Sequence, residues 1–478
     1  MISEEALIVK NKRKISVLAA LVSAIMLTGS FAPSYNPVSA NSANREYFGY
    51  DSSGVIVATD DCPIVVDKEN LTFNVGKNDG STGYTDYVPI TYKGNVTAEY
   101  TFRNPSELTA SVRCMFPFGF LPSGEADITP GSGNFAVGKN GEKADTKIRL
   151  SYKPYSYETF DAETDWKSLS DDYDSDGFFK PETPVYEYEI TVGKGGGKNL
   201  PEIVRFSYRE KESVETVVLF DYLRYDNDDG VIKLDRKVGE DAEMTVTFIN
   251  RDVPIAESNF EFLDSKQKST DGSVTITKKP VSKLIDYSLG FRPSGLGASD
   301  VDWYNATVAM LEYRSNVMRK DDFRLENTLF CWYDYTLTFA PGETLVNTVV
   351  APLFPTVNGW YEPPKYEYTY LLSPAATWAG FKDLTVRINT DMFLLDGVTE
   401  KRTLDEYGNV RLDERETVEF EKKDGFYVTH FDELPDGELI FNLCSVESPE
   451  RYRSSYGCIG GCMRMFFGYI GGCMRMFF

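Results

Sequence analysis

A chain of 478 residues is long enough to bury two or three cores of its own. An aromatic content of 14%, with 30 Tyr and 31 Phe, belongs to a packed protein and excludes a disordered one. A formal charge of −23 repels nucleic acid and anionic membrane, and leaves metal ions, basic proteins or cationic wall groups as charged partners.

The N-terminus carries an address. Residues 10–14 (KNKRK) are basic, residues 15–27 are apolar and uncharged, and Val38-Ser39-Ala40 is a small-x-small site before Asn41. Together they predict a bacterial-style signal peptide over 1–40, cleaved near Ala40, and a secreted or cell-surface mature protein. The apolar run is short for a membrane span, and no span is expected in the mature body. Residues 41–54 read as a loose polar leader.

Strand-like runs follow at 55–58, 63–66, 71–75 and 87–92, with Lys77-Asn78-Asp79-Gly80 as a turn. Residues 96–118 (VTAEYTFRNPSELTASVRCMFPF) read as strand, turn, strand. Val96, Ala98, Tyr100 and Phe102 share one face, Asn104, Pro105 and Ser106 supply turn chemistry, and Pro117 ends the return strand. Residues 129–145 are polar and Gly-rich, a loop; 147–152 resume strand character. The stretch 156–183 is irregular and acidic around Trp166, Phe178 and Phe179. Residues 185–192 (VYEYEITV) alternate, 203–208 and 214–220 look like a strand pair, and 244–250 close an N-terminal β-sandwich-like domain over 55–255.

The segment 256–327 reads as a connection holding one helix at 302–316. Ser299 or Asp300 is its N-cap, and Trp303, Ala306, Met310 and Tyr313 recur at helical spacing. A C-terminal β-rich domain then spans 328–450. Tyr333, Tyr335, Leu337 and Phe339 alternate, Ala340-Pro341-Gly342-Glu343 turns, and 344–353 return. This second unit (LTF, APGE, strand, FP) echoes the first (YTF, RNPSE, strand, FP), as a degenerate repeat or as two ordinary hairpins. The fold expectation is mostly β: two antiparallel β-sandwich-like domains with one short helical insertion. Residues 451–478 end in two near-identical copies, GCIGGCMRMFF and GYIGGCMRMFF, which read as a duplication or truncation. Arg464 and Arg475 within them argue against a span.

Cys62, Cys114, Cys331 and Cys444 lie in the body, where export allows two disulfides in three connectivities; Cys114 and Cys331 also fit as small buried hydrophobes. With one histidine, His430 in YVTHF, and no CxxC, zinc and a Ser-His-Asp site are disfavoured. No Gly-rich phosphate loop precedes a helix. The strongest local signal is Asp172-Tyr173-Asp174-Ser175-Asp176-Gly177. Its spacing sets three carboxylates in a tight loop with a glycine for the turn, and it resembles the calcium loops of EF-hand and dockerin-type modules. That resemblance implies calcium held by Asp172, Asp174 and Asp176; Thr183 stands where the family has its last acid, with Glu182 one place early as the fourth candidate. Asp226-Asn227-Asp228-Asp229-Gly230 is a weaker relative. Trp360, Tyr361, Tyr366, Tyr368 and Tyr370 are candidates for stacking on sugars.

The 96–118 element, YTF-x-N-x-S with its FPF ending, resembles the strand pair of the vault/inter-alpha-trypsin-type sandwich domain and of bacterial exported families of unknown function. Residues 366–388 (YEYTYLLSPAATWAGFKDLTVRI), with Trp378, Phe381 and Leu384, resemble a later segment of those exported proteins. Both imply a β-sandwich and carry over no catalytic residue. The functional expectation is an exported, non-catalytic surface protein that is calcium-stabilised and meets a protein or a glycan. The alternative is a carbohydrate-binding or carbohydrate-active protein using aromatics and carboxylates.

Overall fold

Strands dominate the structure, a computed structural model that describes residues 46–47, 52–57, 62–76, 94–120, 136–152, 165–209, 216–238, 242–294, 296–313, 316–325, 329–353, 355–404 and 410–451. The expected signal peptide, the 77–80 turn, the 87–92 strand and the duplicated copies lie outside the described residues.

Three sheets enclose the larger core. An eight-stranded sheet runs Glu421–Lys423, Phe426–Phe431, Leu384–Thr390, Val65–Val75, Gly94–Arg103, Thr344–Pro352, Ala136–Lys139, Glu142–Lys143. A seven-stranded sheet is centred on Lys365–Leu371, Glu438–Cys444 and Phe393–Leu404. Two of its short strands, Glu46–Tyr47 and Ser52–Ser53, come from the stretch read as a loose leader. A four-stranded sheet runs Ile56–Val57, Ala110–Phe120, Leu329–Phe339, Thr146–Tyr152. Alternation turns Leu71, Phe73, Ala98 and Phe102 inward, where they meet Tyr370 and Phe441 of the second sheet and Phe339 of the third. Phe73 packs edge-on to Phe441 at 4.9 Å and Phe102 stacks on Trp378 at 4.2 Å. Strands from both sides of 256–327 share these sheets: Val65–Val75 runs parallel to Leu384–Thr390.

A second sandwich has its own core. One sheet runs Ser273–Lys278, Pro184–Gly193, Glu243–Ile249, Val217–Leu219, Val317–Met318; the other runs Arg224–Asp228, Val231–Lys237, Ile203–Arg209, Phe260–Leu263. Phe206, Phe220 and Phe248 meet between them. The 203–208 and 214–220 runs are therefore in different sheets and are not a pair.

The two look-alike units are also not hairpins. Gly94–Arg103 pairs with Val65–Val75 and Thr344–Pro352, whereas Ala110–Phe120 pairs with Ile56–Val57 and Leu329–Phe339. Each unit is a corner that carries the chain from one sheet to the next. The physical reason lies in Asn104, which is fully buried. Its Nδ2 donates to the Leu108 and Ala340 carbonyls at 2.8 and 3.0 Å, its Oδ1 accepts from Ser106, and its own N–H donates to the Glu343 carbonyl. These bonds hold open a connection longer than a two-residue hairpin loop. The pairing is reciprocal, with Arg103 opposite Thr344 and Ala110 opposite Phe339, so the first strand of each unit lies beside the second strand of the other.

The long helix is Asp300–Tyr313, with Trp303, Ala306 and Met310 buried and Tyr313 exposed. Ser299 caps it: its Oγ accepts from Asp302 N–H at 3.1 Å and donates to Asp302 Oδ2 at 2.6 Å. A short helix, Leu284–Leu289, precedes it, and the Trp303 indole N–H reaches the Ser288 carbonyl at 2.8 Å. All four body cysteines are free. Burial pushes the Cys114 and Cys331 thiols up, which suits their packing role.

Candidate functional site

The outer face of the four-stranded sheet changes character along its length. Residues of Leu329–Phe339 that point away from the core begin with Phe330 and Trp332, which pack with Ile56, Met115 and Leu169. The next outward residue, Asp334, starts a charged floor. Arg149, from the neighbouring strand Thr146–Tyr152, is 3% exposed. Its Nε donates to Asp302 at 2.8 Å, its Nη1 lies 3.2 Å from Asp334 and 3.1 Å from Asp171, and its Nη2 donates to the Ser170 carbonyl at 2.6 Å. Arg113 grips Asp334 from the other side with two bonds, Nε to Oδ1 at 3.0 Å and Nη2 to Oδ2 at 2.5 Å. Such bidentate pairs fix guanidinium planes, so this floor is rigid.

The floor opens into a cavity of about 440 Å³, into which Arg113, Asp334 and Thr336 project from below. One wall is the hairpin Ala136–Lys139/Glu142–Lys143, which contributes Lys139, Glu142 and Lys143; Asp145 and Lys147 continue it. The turn is Asn140-Gly141, with φ of 49° and 82°, the double left-handed conformation of a type I′ turn. Asn140 ties the hairpin down: its N–H donates to the Val346 carbonyl at 2.7 Å and its Oδ1 accepts from Val346 N–H at 2.8 Å. Asn347 Nδ2 donates to the Gly138 carbonyl and is itself held by the Tyr335 hydroxyl. Reading 129–145 as a loop missed this wall, although Asn140-Gly141 was its signal.

The acidic loop borders the cavity through Asp171. Beyond it, the loop's own backbone engages Asp174, and the long helix holds the loop through backbone groups. Asp174 Oδ1 accepts from the Asp176 and Gly177 N–H groups at 3.0 and 3.3 Å. Asn305 accepts from Asp174 N–H at 2.8 Å and donates to the Asp172 carbonyl at 2.9 Å, while Glu312 accepts from Phe178 N–H at 2.6 Å. Gly177 permits that last contact, since a Cβ there would stand 2.3 Å from Glu312 Oε1. Glu182 is exposed and ion-paired with Lys283 at 2.7 Å, so its carboxylate turns to a different partner from the loop's. Among the described residues no three His, Cys, Asp or Glu side chains converge as a metal site.

The weaker acidic candidate, Asp226 to Gly230, is the end of strand Arg224–Asp228 and the tight turn Asp229-Gly230 that leads into Val231–Lys237, with φ of 50° and 74° at the two turn residues. His430 is half exposed on a sheet face, 3.1 Å from Asp432 and 3.6 Å from Asp383. Tyr368 and Tyr370 are core residues, and the Lys365 ammonium lies 3.9 Å over the Tyr361 ring. The five aromatics therefore do not form one exposed platform.

No protein-family profile matches the chain, and no curated protein matches it. Among solved structures it is similar to a candidate nutrient binding protein of Legionella pneumophila subsp. pneumophila, with a TM-score of 0.27 and 9% identity, over 83% of this chain and 72% of that one.

Proposed function

We propose that this chain is an exported, non-catalytic binding protein of the cell exterior, and that the charged cavity is where it meets a small polar ligand. The N-terminal pattern of basic, apolar and small-x-small segments supports export. No described helix is long and apolar enough to cross a membrane. The observation that carries the binding reading is the contrast between floor and rim. Arg113 and Arg149 are locked by Asp334, Asp302 and a backbone carbonyl, so their positions are set before any ligand arrives. The rim residues Glu142, Asp145 and Lys147 are exposed. A fixed base with adaptable charged groups above it is an arrangement for recognition, in which the ordering cost of binding falls on a few side chains. A cavity of this volume suits a molecule of one or two sugar or amino-acid units.

Saturation-transfer NMR of the full chain against pooled sugars, uronic acids, amino acids, organic acids and phosphate monoesters tests this. At least one class gives signal that Lys147→Glu removes and the distant Lys198→Glu leaves intact. Signal from none, or signal indifferent to Lys147, refutes it.

A further inference from the structure

The rim charges are of both signs, and several do not cancel. Lys147 stands opposite Asp334 in the strand register, but the Asp334 oxygens are taken by Arg113 and Arg149. Lys147 therefore makes no ion pair among the described residues, and neither do Glu142 and Asp145. Lys139 donates to a backbone carbonyl, that of Thr338 at 3.3 Å, and faces Glu142 across the hairpin without closing an ion pair with it. Two cations and two carboxylates thus face one cavity, none of them in a close ion pair among the described residues.

A ligand bearing only a carboxylate would gain from Lys139 and Lys147 and be repelled by Glu142 and Asp145. A ligand bearing only an ammonium group would meet the reverse. A molecule carrying one of each answers both sets, and like-charge repulsion then acts against its singly charged analogues. The floor cannot rearrange to favour one sign, because Arg113 and Asp334 are fixed on each other. We infer that the cavity takes a small zwitterion: a free amino acid or a short peptide with both termini ionised. This rests on the cavity being the ligand site of the protein.

The test uses the full chain and three matched sets of probes: free amino acids and dipeptides, their N-acetyl derivatives, and their C-terminal amides. In saturation-transfer NMR and titration the free forms bind, and each blocked set binds at least about tenfold more weakly. Lys147→Glu and Glu142→Lys each weaken the free forms by about tenfold. Both residues are exposed, so the melting temperature of each variant stays at that of the parent. If an N-acetyl or amide probe binds as tightly as its free form, while Lys147→Glu still weakens it, the zwitterion is overturned and the cavity stands as the ligand site. Binding of another pooled class at the rim, with no binding of amino acids or dipeptides, has the same meaning. Failure of every class at the rim removes both conclusions.

Discussion

Glu69 is a carboxyl buried in the larger core, and it makes stability depend on pH. It sits on the inward face of Val65–Val75, just past the bulge between Val66 and Lys68, and is 1% exposed. Its Oε1 accepts from the Tyr370 hydroxyl at 3.3 Å, and the Tyr370 and Tyr100 hydroxyls are 3.3 Å apart. Burial pushes its carboxyl up to about 7, against the pull of the two tyrosine hydroxyls. In the unfolded chain the same carboxyl ionises near its ordinary value of roughly 4.3. Between those values the folded protein holds a proton that the unfolded chain has released. Its stabilisation is complete below the unfolded value, declines as pH rises through the folded one, and is flat above. The whole gap corresponds to about 3.7 kcal/mol, of which about 3 kcal/mol falls between pH 4.5 and 7.5. Glu69→Gln keeps an acceptor for Tyr370 and cannot ionise. Urea denaturation of both proteins in steps from pH 4.5 to 7.5 therefore shows the variant gaining about 3 kcal/mol on the parent as pH rises. Asp67, which Arg103 holds down to about 2, acts in a lower window and is common to both proteins; its stabilisation is lost as pH falls toward that value. An unchanged difference across the range, or a parent that gains on the variant, refutes the reasoning.

Three further outcomes follow from the same contacts. Arg149→Met strands Asp302 and half of the Asp334 pairing in a dry interface and costs about 3–5 kcal/mol by urea denaturation; a loss below about 1 kcal/mol would mean the network is wet. Ser111→Cys with Thr338→Cys, which are register partners with hydroxyls 3.4 Å apart, closes a disulfide on oxidation, seen as loss of two thiols by mass; persistent free thiols would contradict the pairing of the two corners. Millimolar calcium leaves the melting temperature where EDTA puts it, because Asp174 is engaged by backbone N–H groups and Glu182 by Lys283; a rise lost in Asp174→Ala/Asp176→Ala would show that the loop takes an ion.

Period-2 alternation located strands well, because burying one face of a strand writes itself into adjacent residues. It could not say which strand pairs with which. Residues 96–103 and 110–116 alternate as hairpin arms would, and only the Asn104 bonds to Leu108, Ala340 and Glu343, the last two more than 230 positions away, send them to different sheets. The likeness of the two units was visible, but not that they lie side by side. In the site, the strand carrying Lys147 and Arg149 was legible, whereas the role of neither side chain was, and the partner that buries Arg149, Asp302, is 153 residues distant. The Asp172–Gly177 spacing reads as a cation loop; what it does not show is that Asp174 also caps its own turn and that Gly177 makes room for Glu312. A one-dimensional spacing constrains neighbouring side chains, but not a helix that docks from 131 residues further on.

The most direct test of the account is hydrogen–deuterium exchange of the full chain with and without the pool member that binds. Exchange slows in Ala136–Lys139, Glu142–Lys143 and the adjoining ends of Thr146–Tyr152 and Leu329–Phe339, and is unchanged in Ile203–Arg209 and Val231–Lys237. Protection confined to the second sandwich, or to the sheet face around His430, would contradict it.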